Sequence, residues 1–197
     1  MWQRLILNMV AQVVRSIVMP NGIVTAHADS RLIFKPVNGR EKVVKLPRRV
    51  TVMMGFQDSE GNISRLIVGD HSGAVRTISY PEMKLDQSFQ LTVSRVTALS
   101  VHEASGKKMV IAGLDNGEIH AIDESLPKGS LKLLKLDGAI GLISSNEEIL
   151  TIHSGWVRDV RQWNGDAMTP ARRLFEPPIP PNRRKSTQLT LKTAAPA

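Results

Sequence analysis

A unit of roughly forty residues recurs four times along the chain, and each copy is built round a tight turn between two apolar runs. In the second copy the run 66–68 is followed by Ser72-Gly73, and in the third the run 110–112 is followed by Asn116-Gly117. The first apolar residues after the four turns are Leu32, Val75, Ile119 and Val157, so the spacings are 43, 44 and 38 residues. This regularity predicts a repeat fold in which neighbouring units bury one another's apolar surface.

Each repeat divides in the same order into four short runs, which are rich in Val, Ile, Thr and Met and therefore favour β-strands. Three of the runs are joined by hairpin connections, and the tighter one uses Ser-Gly or Asn-Gly because these residues tolerate positive φ. A more polar run precedes each set of three and has the alternation of a half-exposed outer strand, at residues 4–9, 41–46, 89–93 and 131–136. The pattern predicts an all-β fold.

Apolar residues on the third strand stand three apart, as in Val75/Ile78 and Ile119/Ile122. Strict alternation would place them two apart, whereas a helix here would be too short and would begin on glycine. We therefore expect strands that carry a bulge or a sharp twist at this point.

The segments Gly69…Ser72-Gly73-Ala74-Val75 and Gly113…Asn116-Gly117-Glu118-Ile119 resemble the repeats of WD40 β-propellers, over about residues 2–164. The Gly-His and Trp-Asp dipeptides of that class are missing, and quinoprotein-type propellers are similar at this level. The resemblance implies a propeller domain over 1–165 with four blades. It also implies that residues 4–9 pair with the inner strands of the last repeat, so that first and last repeats share one blade.

Four blades lie at the lower end of the range for propellers. Two architectures follow: a small closed ring, or half of a larger or dimeric ring that a second copy or a partner completes. An open half exposes strand edges and therefore needs association.

The chain carries a formal net charge of +8, and half of the excess lies in residues 166–197. This segment combines prolines with basic and small polar residues, a composition that does not bury enough surface to fold. We expect a disordered, flexible tail there. The charge favours anionic partners, such as RNA, DNA, an anionic membrane surface or an acidic protein.

The sequence has no cysteine, which excludes a disulfide framework and a thiolate metal cluster. No run of about eighteen apolar residues is free of charge, so no transmembrane segment is predicted. The stretch 5–14 is compatible with a strand or with a targeting segment, because Arg4 and Arg15 precede the first acidic residue, Asp29. We expect a cytoplasmic protein, with nuclear and organellar placement left open.

Aligning the hairpins gathers polar residues on one face of the predicted propeller, which we interpret as a protein-binding surface. The candidate contact residues are His27, Asp70, His71, Asp115, His153 and Trp156. Histidine with aspartate also suits a divalent metal, but short polar residues commonly occupy tight turns because they bond to the local backbone. We expect neither a metal nor a cofactor.

Two further histidines are candidates for hydrogen bonds that lock strands together, as the WD40 resemblance implies: His102, in the loop after Val101, and His120, on a third strand. No Ser-His-Asp order, nucleophile elbow, paired-carboxylate motif or phosphate loop stands out. The sequence therefore predicts no enzyme. A propeller enzyme of the quinoprotein or hydrolase kind, with a cofactor or metal in the channel, is the weaker alternative.

Pairs of basic residues are candidates for contact with anions, because cations at modest spacing can neutralise a phosphate backbone. They are Arg48, Arg49, Lys107, Lys108, Arg172, Arg173, Arg183, Arg184 and Lys185. Our leading hypothesis is a non-enzymatic scaffold for protein–protein interactions within an assembly. The alternative is an RNA-associated or ribonucleoprotein subunit that uses the basic tail.

Overall fold

The computed structural model describes residues 12–58, 60–104, 106–123, 129–146, 149–155, 157–163 and 172–175. The described part is all-β, as predicted, and contains no helix. Its strands form four antiparallel sheets, in each of which the four strands are neighbours in chain order. Each sheet is one blade, and its first strand lies innermost.

The strands of the first blade are β1 (Val13–Met19), β2 (Gly22–His27), β3 (Arg31–Pro36) and β4 (Lys42–Lys45). Those of the second are β5 (Val50–Gln57), β6 (Ile63–Asp70), β7 (Ala74–Ser79) and β8 (Leu85–Gln90). Those of the third are β9 (Val96–Ala104), β10 (Lys107–Leu114), β11 (Glu118–Ile122) and β12 (Ser130–Lys135). Those of the fourth are β13 (Ile140–Asn146), β14 (Ile149–Ser154), β15 (Val157–Gln162) and β16 (Arg172–Phe175).

The predicted closure of the last blade is wrong in one respect, because the outer edge of β15 is paired with β16 rather than with residues 4–9. Residues 4–9 themselves lie outside the described part. The run 172–175 was expected to belong to the flexible tail, but it precedes Pro177 and contains no proline, so its backbone can both donate and accept along a strand edge. The rest of the predicted tail, 176–197, lies outside the described residues.

Three hydrophobic clusters hold the blades together, one at each junction. The first includes Leu32 of blade 1 and Leu66 of blade 2, the second joins blades 2 and 3, and the third includes Ile119 of blade 3 and Ile152 of blade 4. The innermost strands also contact one another in succession, β1 with β5, β5 with β9 and β9 with β13. Among the described residues no contact of comparable extent joins β13 back to β1, so closure of the blades into a ring is not seen within them.

A β-bulge recurs near the start of every innermost strand. The register with the second strand shifts at Val14, Thr51, Thr97 and Gly141, each of which is the extra residue of its strand. In two blades the extra residue is a threonine whose hydroxyl reaches the next blade. The Oγ1 of Thr51 lies 2.5 Å from the Val96 carbonyl oxygen, and that of Thr97 lies 2.5 Å from the Ile140 carbonyl oxygen.

Glycine on the second strand allows the next blade to approach closely. A Cβ on Gly113 would lie 2.7 Å from Cβ of Ile140, and one on Gly69 would lie 2.7 Å from Cβ of Val96. Both partners begin an innermost strand and are completely buried. Val13 occupies the corresponding position in blade 1, and it is 49% exposed because no blade of the described chain covers it.

The bulge that the sequence predicts on the third strands lies instead on the fourth strands that pair with them, where Asp86 of β8 and Leu133 of β12 are the extra residues. The pairing of β7 with β8 shifts between Thr77 and Ile78, and that of β11 with β12 shifts between Ile119 and His120. In addition, β7 is buried on both faces over Ala74–Ile78, so its side chains need not alternate between apolar and polar.

The close approach at Gly113 yields a prediction for stability. Replacing Gly113 with Ala places a methyl group against Ile140 and is expected to lower the free energy of unfolding by about 1 to 3 kcal/mol in urea denaturation. Gly141→Ala is the matched control, because the nearest atom to its Cβ is a carbonyl oxygen 3.8 Å away. Equal costs for the two variants would show that blade contact does not explain the glycine.

Candidate protein-binding face

One end of the blades carries both the turns between second and third strands and the linkers that lead to the next blade. We call this surface the turn face; in blades 1 to 3 it comprises the turns 28–30, 71–73 and 115–117 and the linkers 46–49, 91–95 and 136–139. Turns and linkers meet there because consecutive strands are antiparallel, so the second and fourth strands of a blade end at the same end of the sheet.

The turn face is held by backbone hydrogen bonds that recur from blade to blade. The residue after the second strand donates its N–H to the residue before the first strand, from Ala28 to Gln12 at 2.8 Å, from His71 to Arg49 at 3.2 Å and from Asp115 to Arg95 at 3.0 Å. A second bond runs from the linker to the turn, as from the N–H of Leu136 to the carbonyl of Gly117 at 2.9 Å. Each turn is therefore tied both to the residue before the first strand of its blade and to the linker that follows the blade.

Gly117 shows why the turns need glycine. Its φ is +83°, and a Cβ would lie 2.8 Å from the carbonyl oxygen of Gly138 in the linker. The positive φ and the close approach both exclude a larger residue. Ser30 holds the same place in the first blade with a φ of 68°.

Asp70, a predicted contact residue, is completely buried and holds its turn from inside. Its Oδ1 accepts hydrogen bonds from the N–H of Ser72 at 2.8 Å, the hydroxyl of Ser72 at 2.8 Å and the N–H of Ala74 at 3.1 Å. Its Oδ2 forms a buried ion pair with Arg76. Burial by itself would raise the pKa of Asp70, but the bonds from Arg76, Ser72 and Ala74 outweigh it and lower the pKa.

Blade 3 replaces this pair by a different one. Leu114 stands where blade 2 has Asp70, and the polar residues are Glu118 and His120, whose side chains lie 3.3 Å apart. Lys132 donates to Glu118 at 2.6 Å. That bond is the main cause that lowers the pKa of Glu118 to about 2. Burial acts in the opposite direction, and hydrogen bonds from His120 and Asn116 lower the pKa further. The contact between His120 and Glu118 lies within β11, so the bond that joins two strands here is the one from Lys132 to Glu118.

His102 locks blade 3 to blade 4. It lies within β9 rather than in a loop, and it is completely buried. One ring nitrogen, Nε2, lies 2.9 Å from the carbonyl oxygen of Trp163 and therefore carries the proton, while Nδ1 lies 2.7 Å from the hydroxyl of Ser145. The ring also stacks on Trp163, with centroids 5.0 Å apart.

The remaining predicted contact residues differ in their exposure. His71 is exposed and Asp115 is half-buried, so both present side chains at the turn face. His27 is 7% exposed, and its Nε2 lies 3.0 Å from the hydroxyl of Thr25. His153 is half-buried on β14. Trp156 lies outside the described residues.

A cleft of about 250 Å³ lies on the turn face between the innermost strands of blades 1 to 3. Its charged and titratable lining residues are Arg15, Arg49, His71 and Arg95. Sequence reasoning found Arg49 and His71 but missed the other two. Arg95 had a signal, because Arg49 and Arg95 each stand directly before the valine that begins an innermost strand. No sequence signal pointed to Arg15, because its orientation depends on the bulge in β1.

The structure separates the basic residues that the sequence grouped together. Arg48 and Arg49 are exposed on the turn face, whereas Lys107 and Lys108 begin β10 at the opposite end of blade 3. Lys108 donates to the carbonyl of Asp58 at 2.9 Å. Arg172 and Arg173 lie on β16, where their backbone pairs with Val160 and Asp159. Arg183, Arg184 and Lys185 lie outside the described residues.

Within the described ranges, no cluster of three or more His, Asp or Glu side chains is arranged to hold a metal ion. The same ranges contain no helix long and apolar enough to cross a membrane.

Solved structures with a similar arrangement of strands are WD40 repeats and designed proteins. The structure of U3-55K matches with a TM-score of 0.63 and 17% identity, covering 81% of this chain and 51% of that one. The RRP9 WD40 repeats match with a TM-score of 0.63 and 16% identity, covering 81% and 50%. The computationally designed Ika4 protein matches with a TM-score of 0.59 and 19% identity, covering 78% and 91%.

These matches show the fold: the chain has the blade architecture of a WD40-like β-propeller, and it spans about half the length of the two WD40 structures. No protein-family model and no curated protein sequence matches the chain.

The buried Asp70–Arg76 pair yields a second prediction. Asp70→Asn leaves Arg76 buried without its counter-charge and is expected to cost about 3 to 5 kcal/mol of unfolding free energy. Asp115→Asn, at an exposed pair with Arg95 at 3.6 Å, is the matched control and is expected to cost about 1 kcal/mol or less.

Acidification gives a further test of the Asp70–Arg76 pair, in which Asp70→Asn is compared with the wild type. Because the pKa of Asp70 is lowered, its contribution is complete above the ordinary value of 3.8 and is lost as pH falls through the lowered pKa. Urea midpoints measured from neutral pH downwards should therefore fall less for Asp70→Asn than for the wild type. Parallel acid dependence of the two proteins would contradict the assignment.

Proposed function

We propose that this chain is a non-enzymatic scaffold that binds protein partners through the turn face, within a larger assembly. The observation that carries the proposal is the repeated bonding of turn to linker, which holds the backbone of the exposed His71 and the half-buried Asp115 in place. A surface of fixed backbone with side chains that differ from blade to blade suits recognition, because little entropy is lost on binding.

The polar side chains beneath the turn face support a structural role. Asp70 is engaged by Arg76 and Ser72, and His102 is engaged by Ser145 and Trp163. We therefore assign His27 and Asp70 to bracing the face from below, and His71, Asp115 and His153 to contact with the partner. The WD40 structures that the chain resembles support a role in binding rather than catalysis, at the level of fold.

Two further partner assignments stay predictions. Self-association that completes a ring is supported by the exposure of Val13, whose counterparts Val50, Val96 and Ile140 are buried by the preceding blade. RNA contact through residues 166–197 is supported by their charge. The separation of Arg48 and Arg49 from Lys107 and Lys108 weakens the case for one continuous nucleic-acid track over the blades.

Site-specific photo-cross-linking tests the scaffold proposal. A photoreactive amino acid at Arg48, on the turn face, is expected to give discrete protein adducts in cells of origin that survive nuclease treatment. The same group at Lys107, which is equally exposed at the opposite end, is the control and should give few or none. Adducts that form equally at both positions, or that vanish with nuclease, would contradict the proposal.

A further inference from the structure

The cleft on the turn face gathers positive charge from three blades. Arg15 comes from β1, Arg49 and His71 flank β5 and the second turn, and Arg95 precedes β9; all four are exposed. The walls between them are formed by the bulged starts of the innermost strands, including Thr51 and Thr97.

Comparison of blades 2 and 3 shows that, within the described part of the chain, the positive charge of Arg49 has no acidic partner, whereas that of Arg95 has one. Arg49 and Arg95 are equivalent, and each accepts a hydrogen bond at its carbonyl from the residue after the second strand. In blade 3 that residue is Asp115, whose carboxylate lies 3.6 Å from Nε of Arg95. In blade 2 it is His71, and the Arg49 side chain has no ion pair among the described residues. Asp70, the residue directly before His71, is buried against Arg76.

Arg15 is oriented towards the same cleft by neutral groups. Its Nε donates to the carbonyl of Thr51 at 3.0 Å, and its Nη1 donates to the carbonyl of Val14 at 2.8 Å. These bonds hold the guanidinium in place without neutralising it, so its charge acts on the cleft. A held guanidinium loses less side-chain entropy when an anion binds.

The surroundings favour a carboxylate over a nucleic acid. Binding of single-stranded RNA or DNA relies on several phosphates and on aromatic side chains for base stacking. No Phe, Tyr or Trp is among the residues that line this cleft, and Lys107 and Lys108 lie at the opposite end of the blades. One confined group of guanidinium donors suits the bidentate recognition of a single acidic side chain.

We propose that the cleft between Arg15, Arg49 and His71 binds a carboxylate side chain of an acidic segment in the partner protein. This inference rests on the proposed function, because it names the chemistry of the partner for the same face. Arg49 supplies the unpaired guanidinium, Arg15 the pre-oriented one, and Asp115 limits the contribution of Arg95.

Fluorescence anisotropy on the full chain tests the inference, with a labelled oligoglutamate peptide and an oligouridylate of equal length as probes. We expect the peptide to bind at low salt, and Arg49→Gln to weaken binding about tenfold, the scale of losing one charge-assisted contact. Lys107→Gln removes a charge of the same sign at the opposite end of blade 3, away from the cleft lining, and should change the affinity less than about twofold. Asp115→Asn should strengthen binding, because it releases Arg95.

Three results would overturn the inference: no peptide binding at low salt, equal losses in Lys107→Gln and Arg49→Gln, or tighter binding of the oligouridylate with the same dependence on Arg49. The thermal unfolding midpoints of the variants should match that of the wild type, since both positions are exposed. If turn-face cross-links persist in Arg49→Gln while peptide binding is absent, the scaffold proposal stands and only the carboxylate assignment fails.

Discussion

The packing of each innermost strand against the preceding blade is the constraint on which the rest of the structure depends. Gly113 leaves room for Ile140, and the hydroxyl of Thr97 lies between the Gly113 and Ile140 carbonyl oxygens at 3.1 and 2.5 Å. Gly69, Thr51 and Val96 repeat the arrangement one blade earlier. A small residue, a bulge and a hydroxyl thus make one recurring joint, which brings consecutive blades close enough for their apolar faces to merge into a shared cluster.

The joint also determines what the turn face can do. Because the bulge lies at the start of the innermost strand, it sets the position of the linker before it, and the linker is bonded to the turn. Charged residues beside the joint are therefore presented at fixed places. Asp70 and Arg76 are buried together and stabilise the fold, whereas Arg49 and His71 are exposed and belong to the surface that we propose for the partner. The difference in burial separates residues that look alike in sequence.

The repeat and the turn chemistry were predictable because they are local. Asn116-Gly117 predicts a hairpin whatever surrounds it. The three-residue spacing on β7 and β11 predicts a bulge on the wrong strand, because the extra residues lie on β8 and β12 and β7 is buried on both faces. Pairing at the outer edge was not predictable, because any short extended run can pair with a free strand edge, and 172–175 does so with β15.

The same limit applies to the site: Asp70 and His71 are adjacent in sequence, but only the register of β6 shows that one is buried and the other exposed. The place of Arg15 in the cleft depends on the bulge at Val14, and the sequence pattern does not show where that bulge lies.

Hydrogen exchange at the turn amides tests the central claim most directly, namely that the joints hold the turn face rigid. The N–H groups of Ala28, His71 and Asp115 donate to the residue before the first strand of their blades, and we predict that they exchange as slowly as amides within the adjoining second strands. Exchange at rates typical of open turns, while the strands stay protected, would show that the turns move independently of the blades. In that case the face would not present its side chains in fixed positions, and the account would be wrong.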